Sequence, residues 1–320
     1  MNQAFLKIAA TVIEKSNAER PADGMLREEL RKQRGLSRDD SWEISRAVFA
    51  YYRWLRWLDK GESLASKVNQ ALDLAQEFKE APQDFSDEEL LANAVPEWAG
   101  EEVEVTPAFV RALQGEPKLW LRTKRGERDA IARTLRHAVA HSSPIMADTL
   151  EYTGSLDLFR TPEFHEGVFE LQDIASQAVS IVCDPQPGET WWDACAGEGG
   201  KTLHFSELMQ NKGLIWASDR AEWRLKKLKQ RAARAKAFNY RAAIWDGSSK
   251  LPTKTKFDGV LVDAPCSGVG TWGRNPHARW TTTLKDVREL AEIQLTLLSH
   301  AAASVKSGGK LIYSVCTLTR

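Results

Sequence analysis

The chain has 320 residues, 42% of them hydrophobic and 28% charged, with 44 basic side chains against 44 acidic ones. That is an ordinary globular composition with material for two or three domains. No apolar run approaches the roughly 20 residues a membrane span needs, and the even charge balance argues against a protein that coats nucleic acid without specificity.

The zero net charge conceals an asymmetry. Residues 1–106 hold 14 basic and 21 acidic residues, and residues 107–320 hold 30 and 23. Such a split between halves is a hint of separate roles. The N-terminus carries Glu14 and Glu19 and no signal-type apolar block, so a cytoplasmic protein is expected.

Residues 1–80 are expected to form a helical domain. Leu26 and Leu30, then Ile44, Val48, Tyr51, Tyr52, Leu55 and Leu58 recur at helical spacing. Ser41, two residues before Glu43, predicts a helix start. The aromatic run Ala47–Leu58 reads first as core. Residues 81–106, acidic and holding Pro82 and Pro96, are expected to be a linker.

Residues 107–158 predict a small α/β unit, with a strand at Leu119–Arg122 and a helix over 127–140. Its basic residues, Lys124 and Arg125 among them, suit either a solvated helix face or a phosphate-tracking one. From 159 onward strands alternate with helices, which predicts a mostly parallel, Rossmann-like α/β sheet. A helix is expected over 165–183. Strands follow at 190–195, 214–219, 239–244, 257–263 and 310–316, with intervening helices over 221–237 and 284–305. Trp191 and Trp192 are expected in the core.

The first of these strands runs into Asp193-Ala-Cys-Ala-Gly-Glu-Gly-Gly-Lys-Thr202. A glycine turn between strand and helix lets backbone approach a ligand. The Walker pattern fails because Cys195 stands where its first glycine belongs, and the dinucleotide fingerprint fails at Thr202. Acids then follow the next strands in order: Asp219, Asp246 and Asp263. Carboxyl ends of such strands line one rim, and Asp219, 26 residues after Asp193, suits a ribose diol. S-adenosylmethionine is the leading ligand.

The four cysteines, Cys183, Cys195, Cys266 and Cys316, form no CxxC pair, and His165, His204 and His277 stand apart from metal-type partners. No metal is expected. Cys266 follows Asp263-Ala-Pro, and Cys316 ends the last strand. If those strands are neighbours, both thiols reach one reacting atom. A thiolate adds readily to carbon 6 of a pyrimidine and so activates carbon 5 toward methylation. Asp263 can hydrogen-bond the ring. This chemistry alone leaves open which cysteine attacks.

In these stretches the sequence resembles the RsmB/Nop/Sun family of RNA cytosine-C5 methyltransferases. The matching residues are Phe164–Gln177, Asp193–Thr202, Asp219 with Arg224, Asp246-Gly247, Asp263–Gly268, Arg274-Asn275-Pro276 with Trp280, and Tyr313–Cys316. The resemblance implies a class I S-adenosylmethionine methyltransferase fold over 159–320. It implies Cys316 as nucleophile and Cys266 as the group assisting product release. Cofactor contacts are implied for Cys195, Ala196, Gly197, Glu198, Gly199, Gly200, Lys201, Asp219, Arg224, Asp246 and Asp263. Arg274 and Asn275, with Lys124 and Arg125, are the expected RNA contacts. The implied activity is methylation of RNA, ribosomal RNA first, by a monomer without membrane or metal partners. The N-terminal helices loosely resemble a NusB-like docking module.

Two departures stand out. Glu198 replaces the proline of the family's usual Ala-Pro-Gly-Gly-Lys loop. Family members also continue past the second cysteine, so an exposed apolar edge at Leu311–Tyr313 is expected here. The competing class is a non-catalytic RNA-binding or assembly factor on the same scaffold. The basic run Arg220–Arg241, with nine cations and the single acid Glu222, is either a solvated face or an RNA-bracketing one.

Overall fold

The structure, a computed structural model, describes residues 2–320. Seven helices open the chain: α1 (Gln3–Lys15), α2 (Ala22–Lys32), α3 (Arg38–Arg53), α4 (Leu64–Glu80), α5 (Asp87–Asn93), α6 (Ala99–Glu102) and α7 (Pro107–Gln114). A mixed stretch follows: β1 (Leu119–Thr123), α8 (Arg128–Leu135), β2 (Ala138–Ala140), β3 (Thr149–Tyr152), α9 (Pro162–His165) and β4 (Phe169–Leu171). Then come α10 (Ile174–Cys183), β5 (Thr190–Asp193), α11 (Gly200–Leu208), β6 (Leu214–Asp219), α12 (Glu222–Ala235), β7 (Tyr240–Ile244) and β8 (Phe257–Asp263). The chain closes with α13 (Pro276–Thr281), α14 (Leu284–Ala302) and β9 (Val305–Ser314).

The chain folds as two units. One comprises the chain up to Pro117 with Cys266–Leu290 and Cys316–Arg320; the other comprises Lys118–Pro265 and Ala291–Val315. Three sequence expectations change here. Residues 81–106 are not a linker: they carry α5 and α6, and Phe85, Leu90, Ala94, Val95, Ala99 and Val103 are buried in the helical core. The small α/β unit begins at Lys118 rather than 107, because α7 packs into the helical unit through Val110 and Leu113. The segment 266–290, expected in the catalytic domain, groups with the helices instead.

Two apolar clusters hold the helical unit. Leu6, Ala9, Val12 and Ile13 of α1 meet Ile44, Ala47 and Val48 of α3. The second gathers around Trp54, with Phe78, Phe85 and Leu90 and, from far along the chain, Val269 and Trp272. The aromatic run is therefore core. α3 begins at Ser37, not near Ser41: the Ser37 hydroxyl accepts from Asp40 N while the Asp40 carboxylate accepts from Ser37 N, a reciprocal cap. Arg279 on α13 is fully buried and faces no carboxylate among its hydrogen-bond partners. It donates to the carbonyls of Ala94 (2.9 Å) and Leu113 (3.0 Å) and to the Gln114 side chain (3.1 Å). Those are carbonyls left over at the ends of α5 and α7.

In the other unit β1–β4 form an antiparallel sheet of order β2-β3-β1-β4. The helix expected over 127–140 ends at Leu135, and Ala138–Ala140 is a strand. The helix expected over 165–183 is broken in the same way: Gly167 takes φ +69° and Phe169–Leu171 extends to pair with β1. The larger sheet is parallel, of order β7-β6-β5-β8-β9. Trp191 and Trp192 point to opposite faces and both are wholly buried, so the sheet is covered on both sides. Trp191 meets Phe205 and Met209; Trp192 meets Phe257, Trp245 and Leu297. The strand order reverses between β5 and β8. That is where a doubly wound sheet opens a crevice at its carboxyl ends. β9 is the edge strand, with Leu311 41% and Tyr313 44% exposed.

Candidate active site

The crevice in the sheet unit starts at Asp193, the last residue of β5. Its carboxyl is buried, accepts from the Thr202 hydroxyl at 2.6 Å, and has its other oxygen without a partner. Burial pushes its pKa up to about 7, with the neighbouring Asp263 and Asp219 carboxylates adding to that and Thr202 opposing it. An acid raised in the folded state holds its proton where the unfolded chain has already lost it. Stability from this group is therefore full below about pH 4 and falls as the pH rises toward 7. The total span is up to about 4 kcal/mol. Asp193→Asn should flatten that slope, seen as a thermal midpoint that varies less between pH 5 and 8 than in the parent. An unchanged slope would refute the assignment.

The 194–199 loop is latched to β6. Ala196 N donates to Ser218 O at 2.8 Å, and Gly197 N donates to Asp219 Oδ2 at 3.0 Å. Asp219 Oδ1 accepts from Ala221 N at 2.8 Å, and Arg224 stands 3.8 Å from Oδ2. Gly199 must be glycine: its φ is +88°, and a Cβ there would lie 2.6 Å from Leu228 Cγ. At Gly197, also at positive φ, an added Cβ would meet nothing within 4 Å. The loop thus leaves open space before the N-terminus of α11, as an anionic or nucleoside ligand needs. Glu198 pairs with Lys227 at 2.8 Å, so its charge is compensated from α12.

Lys201 and Asp263 close the crevice. Lys201 Nζ donates to Asp263 Oδ2 at 2.6 Å, and Ser314 Oγ donates to Asp263 Oδ1 at 2.7 Å. Asp246 lies exposed after β7, and the Ser248 hydroxyl and amide hold its carboxyl below the usual range. Cys195, like Cys183, is a different kind of thiol from the remaining two. Burial pushes both up to about 12, which leaves them protonated and unreactive at neutral pH.

Cys266 and Cys316 belong to the helical unit. Their Sγ atoms stand 3.1 Å apart. Three further contacts zip the two segments: Cys316 N donates to Cys266 Sγ at 3.2 Å, the Ser267 and Thr317 hydroxyls meet at 2.6 Å, and Gly270 N donates to Cys316 O at 3.1 Å. A side chain at Gly270 would put its Cβ 3.0 Å from that same Cys316 oxygen. Cys266 follows Asp263 by three residues and Cys316 follows Ser314 by two, and Asp263 and Ser314 are register partners at the ends of β8 and β9. Strand pairing thus brings the thiols together, as the sequence suggested, although β9 ends two residues short of Cys316.

The expected RNA contacts separate. Arg274 and Asn275 lie on the same loop as Cys266, Arg274 exposed. Lys124 and Arg125, in the sheet unit, line a cavity of about 340 Å³ with Lys236, Gln210 and Asn211. That cavity sits at the C-terminal ends of α11 and α12, a helix length from the glycine loop. The basic face of α12 is largely satisfied within the protein. Arg231 and Arg234 hold the buried Glu170, Lys227 holds Glu198, and Lys226 pairs with Glu222. Ser314, Thr202 and the Ser267–Thr317 pair were not anticipated. Ser314 carried a signal, standing two residues before Cys316.

Comparison with known proteins fits this geometry. Residues 180–320 match the model of the 16S rRNA methyltransferase RsmB/F family. Over these residues the chain is similar to the RsmB/Nop/Sun family. It is 44% identical over 161 residues to a probable ribosomal RNA small subunit methyltransferase B of Synechocystis, covering 49% of this chain and 36% of that one. Against the Vibrio vulnificus ribosomal RNA small subunit methyltransferase B it is 29% identical over 276 residues, 81% of this chain and 63% of that one. The chain therefore spans between about one third and two thirds of these relatives. Among solved structures, PH0851 superposes with a TM-score of 0.79 over 99% of this chain and 86% of its own, at 24% identity, a likeness of fold. A methyltransferase homologue from Pyrococcus horikoshii superposes with a TM-score of 0.57 at 29% identity, over 66% of this chain and 68% of its own. The sheet unit has the class I, Rossmann-like methyltransferase fold shared by this family.

Proposed function

We propose that this chain is an S-adenosylmethionine-dependent RNA methyltransferase that modifies carbon 5 of a cytosine, with small-subunit ribosomal RNA as its substrate. The observation that carries the reading is the thiol pair: two sulfurs 3.1 Å apart, each following the end of one of two paired strands. The residues fit the cofactor. The Gly197–Gly199 loop leaves room for it, and Asp219 has oxygen lone pairs to spare for a ribose hydroxyl. Bound there, S-adenosylmethionine supplies an electrophilic methyl group.

In this reading Cys316 Sγ adds to carbon 6 of an unstacked cytosine. Asp263 hydrogen-bonds the ring, oriented by Lys201 and Ser314. Once carbon 5 has taken the methyl group, Cys266 assists loss of the carbon-5 proton. The bond from carbon 6 to Cys316 then breaks, restoring the ring and the thiolate. Arg274 and Asn275 engage the RNA near the base, and Lys124 and Arg125 its backbone at a distance.

The test incubates the protein with methyl-labelled S-adenosylmethionine and total RNA, then maps 5-methylcytosine. Label in small-subunit ribosomal RNA supports the whole reading. Label in transfer RNA alone overturns the ribosomal assignment. Absence of label despite calorimetric cofactor binding overturns the activity.

A further inference from the structure

The cavity of about 340 Å³ at the far end of α11 has the volume of a small-ligand pocket. Lys124, Arg125 and Lys236 line it, and no ion pair or side-chain hydrogen bond among the described residues engages any of the three. The two acids in the wall are already held. Glu170 is gripped by Arg231 and Arg234, and Glu207 accepts from the Arg125 amide at 2.7 Å with Arg122 3.6 Å away. Glu127, Asp148 and Glu166 stand nearby with Arg128 and Lys212, and Arg128 pairs with Asp129. Cations outnumber acids among all these residues.

Phe238 directly follows Ala237 of the cavity wall and is 74% exposed, more than any other large hydrophobic side chain among the described residues. It stands on the turn between α12 and β7, and that turn is braced. Asn211 donates from Nδ2 to Lys236 O at 3.1 Å and accepts from Phe238 N at 2.7 Å. The Ser206 hydroxyl donates to Asn239 Oδ1 at 2.7 Å and fixes the next residue. Lys236 sits at φ +57°, a left-handed position where glycine is the usual residue. A lysine at a helix C-terminus suits the dipole by itself, and a single exposed apolar residue needs no explanation. Their combination does: an aromatic ring on a braced turn, two residues from one of three uncommitted cations. Cations that track phosphate beside a ring that stacks a base make a single-strand nucleic-acid site. A protein-docking face would need more apolar area and fewer charges at its centre.

We infer that the cavity and Phe238 form a nucleotide seat for single-stranded RNA, with a phosphate among Lys124, Arg125 and Lys236 and the attached base stacked on Phe238. The inference rests on the RNA-methyltransferase reading and adds Lys236 and Phe238 to it. α11 is nine residues long, so the seat lies about 13 Å from the glycine loop and takes a nucleotide other than the target cytosine. Stacking accepts any base, so the seat anchors the strand and does not read its sequence.

The test is equilibrium binding of a short fluorescent single-stranded RNA to the full chain, read by anisotropy across a salt series. Phe238→Ala should weaken binding roughly tenfold and leave the salt slope unchanged. Phe238→Tyr keeps a stacking ring and should bind like the parent. Lys236→Asn suits the left-handed backbone and should lower the slope of log K against log salt by about 0.7, the share of one single-strand phosphate contact. The inference is overturned if the parent binds no RNA, if Phe238→Ala binds within twofold of the parent, if Phe238→Tyr loses as much as Phe238→Ala, or if Lys236→Asn keeps the parent slope. A lower solution mass for Phe238→Ala with RNA affinity intact would make the ring a protein contact and overturn it as well. The assay needs no turnover, so the two readings fail separately. Phe238-dependent binding without methyl transfer sinks the catalytic proposal and keeps the seat; methyl transfer with Phe238-independent binding does the reverse.

Discussion

Cys316→Ala is expected to lower methyl transfer by roughly a thousandfold or more, because no other thiol can replace it as the group that adds to carbon 6. Cys183 is buried and Cys195 half-buried, both are held protonated, and Cys266 would have to attack from a position set for its partner. Cys266→Ala should behave differently. Addition and methylation proceed, elimination stalls, and a covalent protein–RNA species accumulates, visible as a slow band on a denaturing gel. The substitution removes the acceptor for Cys316 N but leaves the Ser267–Thr317 and Gly270–Cys316 contacts, so the loops keep their register. If Cys266→Ala abolishes methylation without an adduct while Cys316→Ala gives one, the two roles are exchanged. If Cys316→Ala retains full activity, the mechanism is wrong.

Asp219→Ala should weaken S-adenosylhomocysteine binding about a hundredfold or more, measured by calorimetry. Two effects combine. The ribose loses an acceptor, and the amides of Gly197 and Ala221 lose theirs, so the glycine loop is held to β6 through Ser218 alone. Each unpaired buried donor costs about 1–3 kcal/mol, and 2.8 kcal/mol is a hundredfold in affinity. Asp219→Asn keeps one of the two acceptors and should fall between. Binding within threefold of the parent for Asp219→Ala would remove Asp219 from the cofactor site.

The sequence made the parallel sheet legible because its three central strands are buried on both faces and end in punctuation: Asp193, Asp219 and Asp263 each close one of them. The thiol pair was legible for the same reason, since neighbouring strands with known ends carry their following residues together. Other features depended on distant partners. Acidic composition disguised residues 81–106, where Phe85, Leu90 and Val95 find their core only against Trp54 and Trp272. The run 165–183 looked helical, but Arg231 and Arg234 grip Glu170 and hold β4 extended. Those ion pairs also account for much of the basic stripe on α12, which spacing alone could not distinguish from an RNA-binding face.

The burial of Arg279 among carbonyls of Ala94 and Leu113 has a consequence for how the protein is made. Those carbonyls emerge from the ribosome well before their donor does. With synthesis at about 5–20 residues per second, the wait is roughly 10–30 s. Through that interval the helical unit lacks Val269 and Trp272 from its core as well as the guanidinium. The N-terminal helices are thus an unfinished body for much of translation, and the stretch bearing Cys266 is what completes them. A newly made chain acquires its Cys266 loop and its finished helical core in the same event.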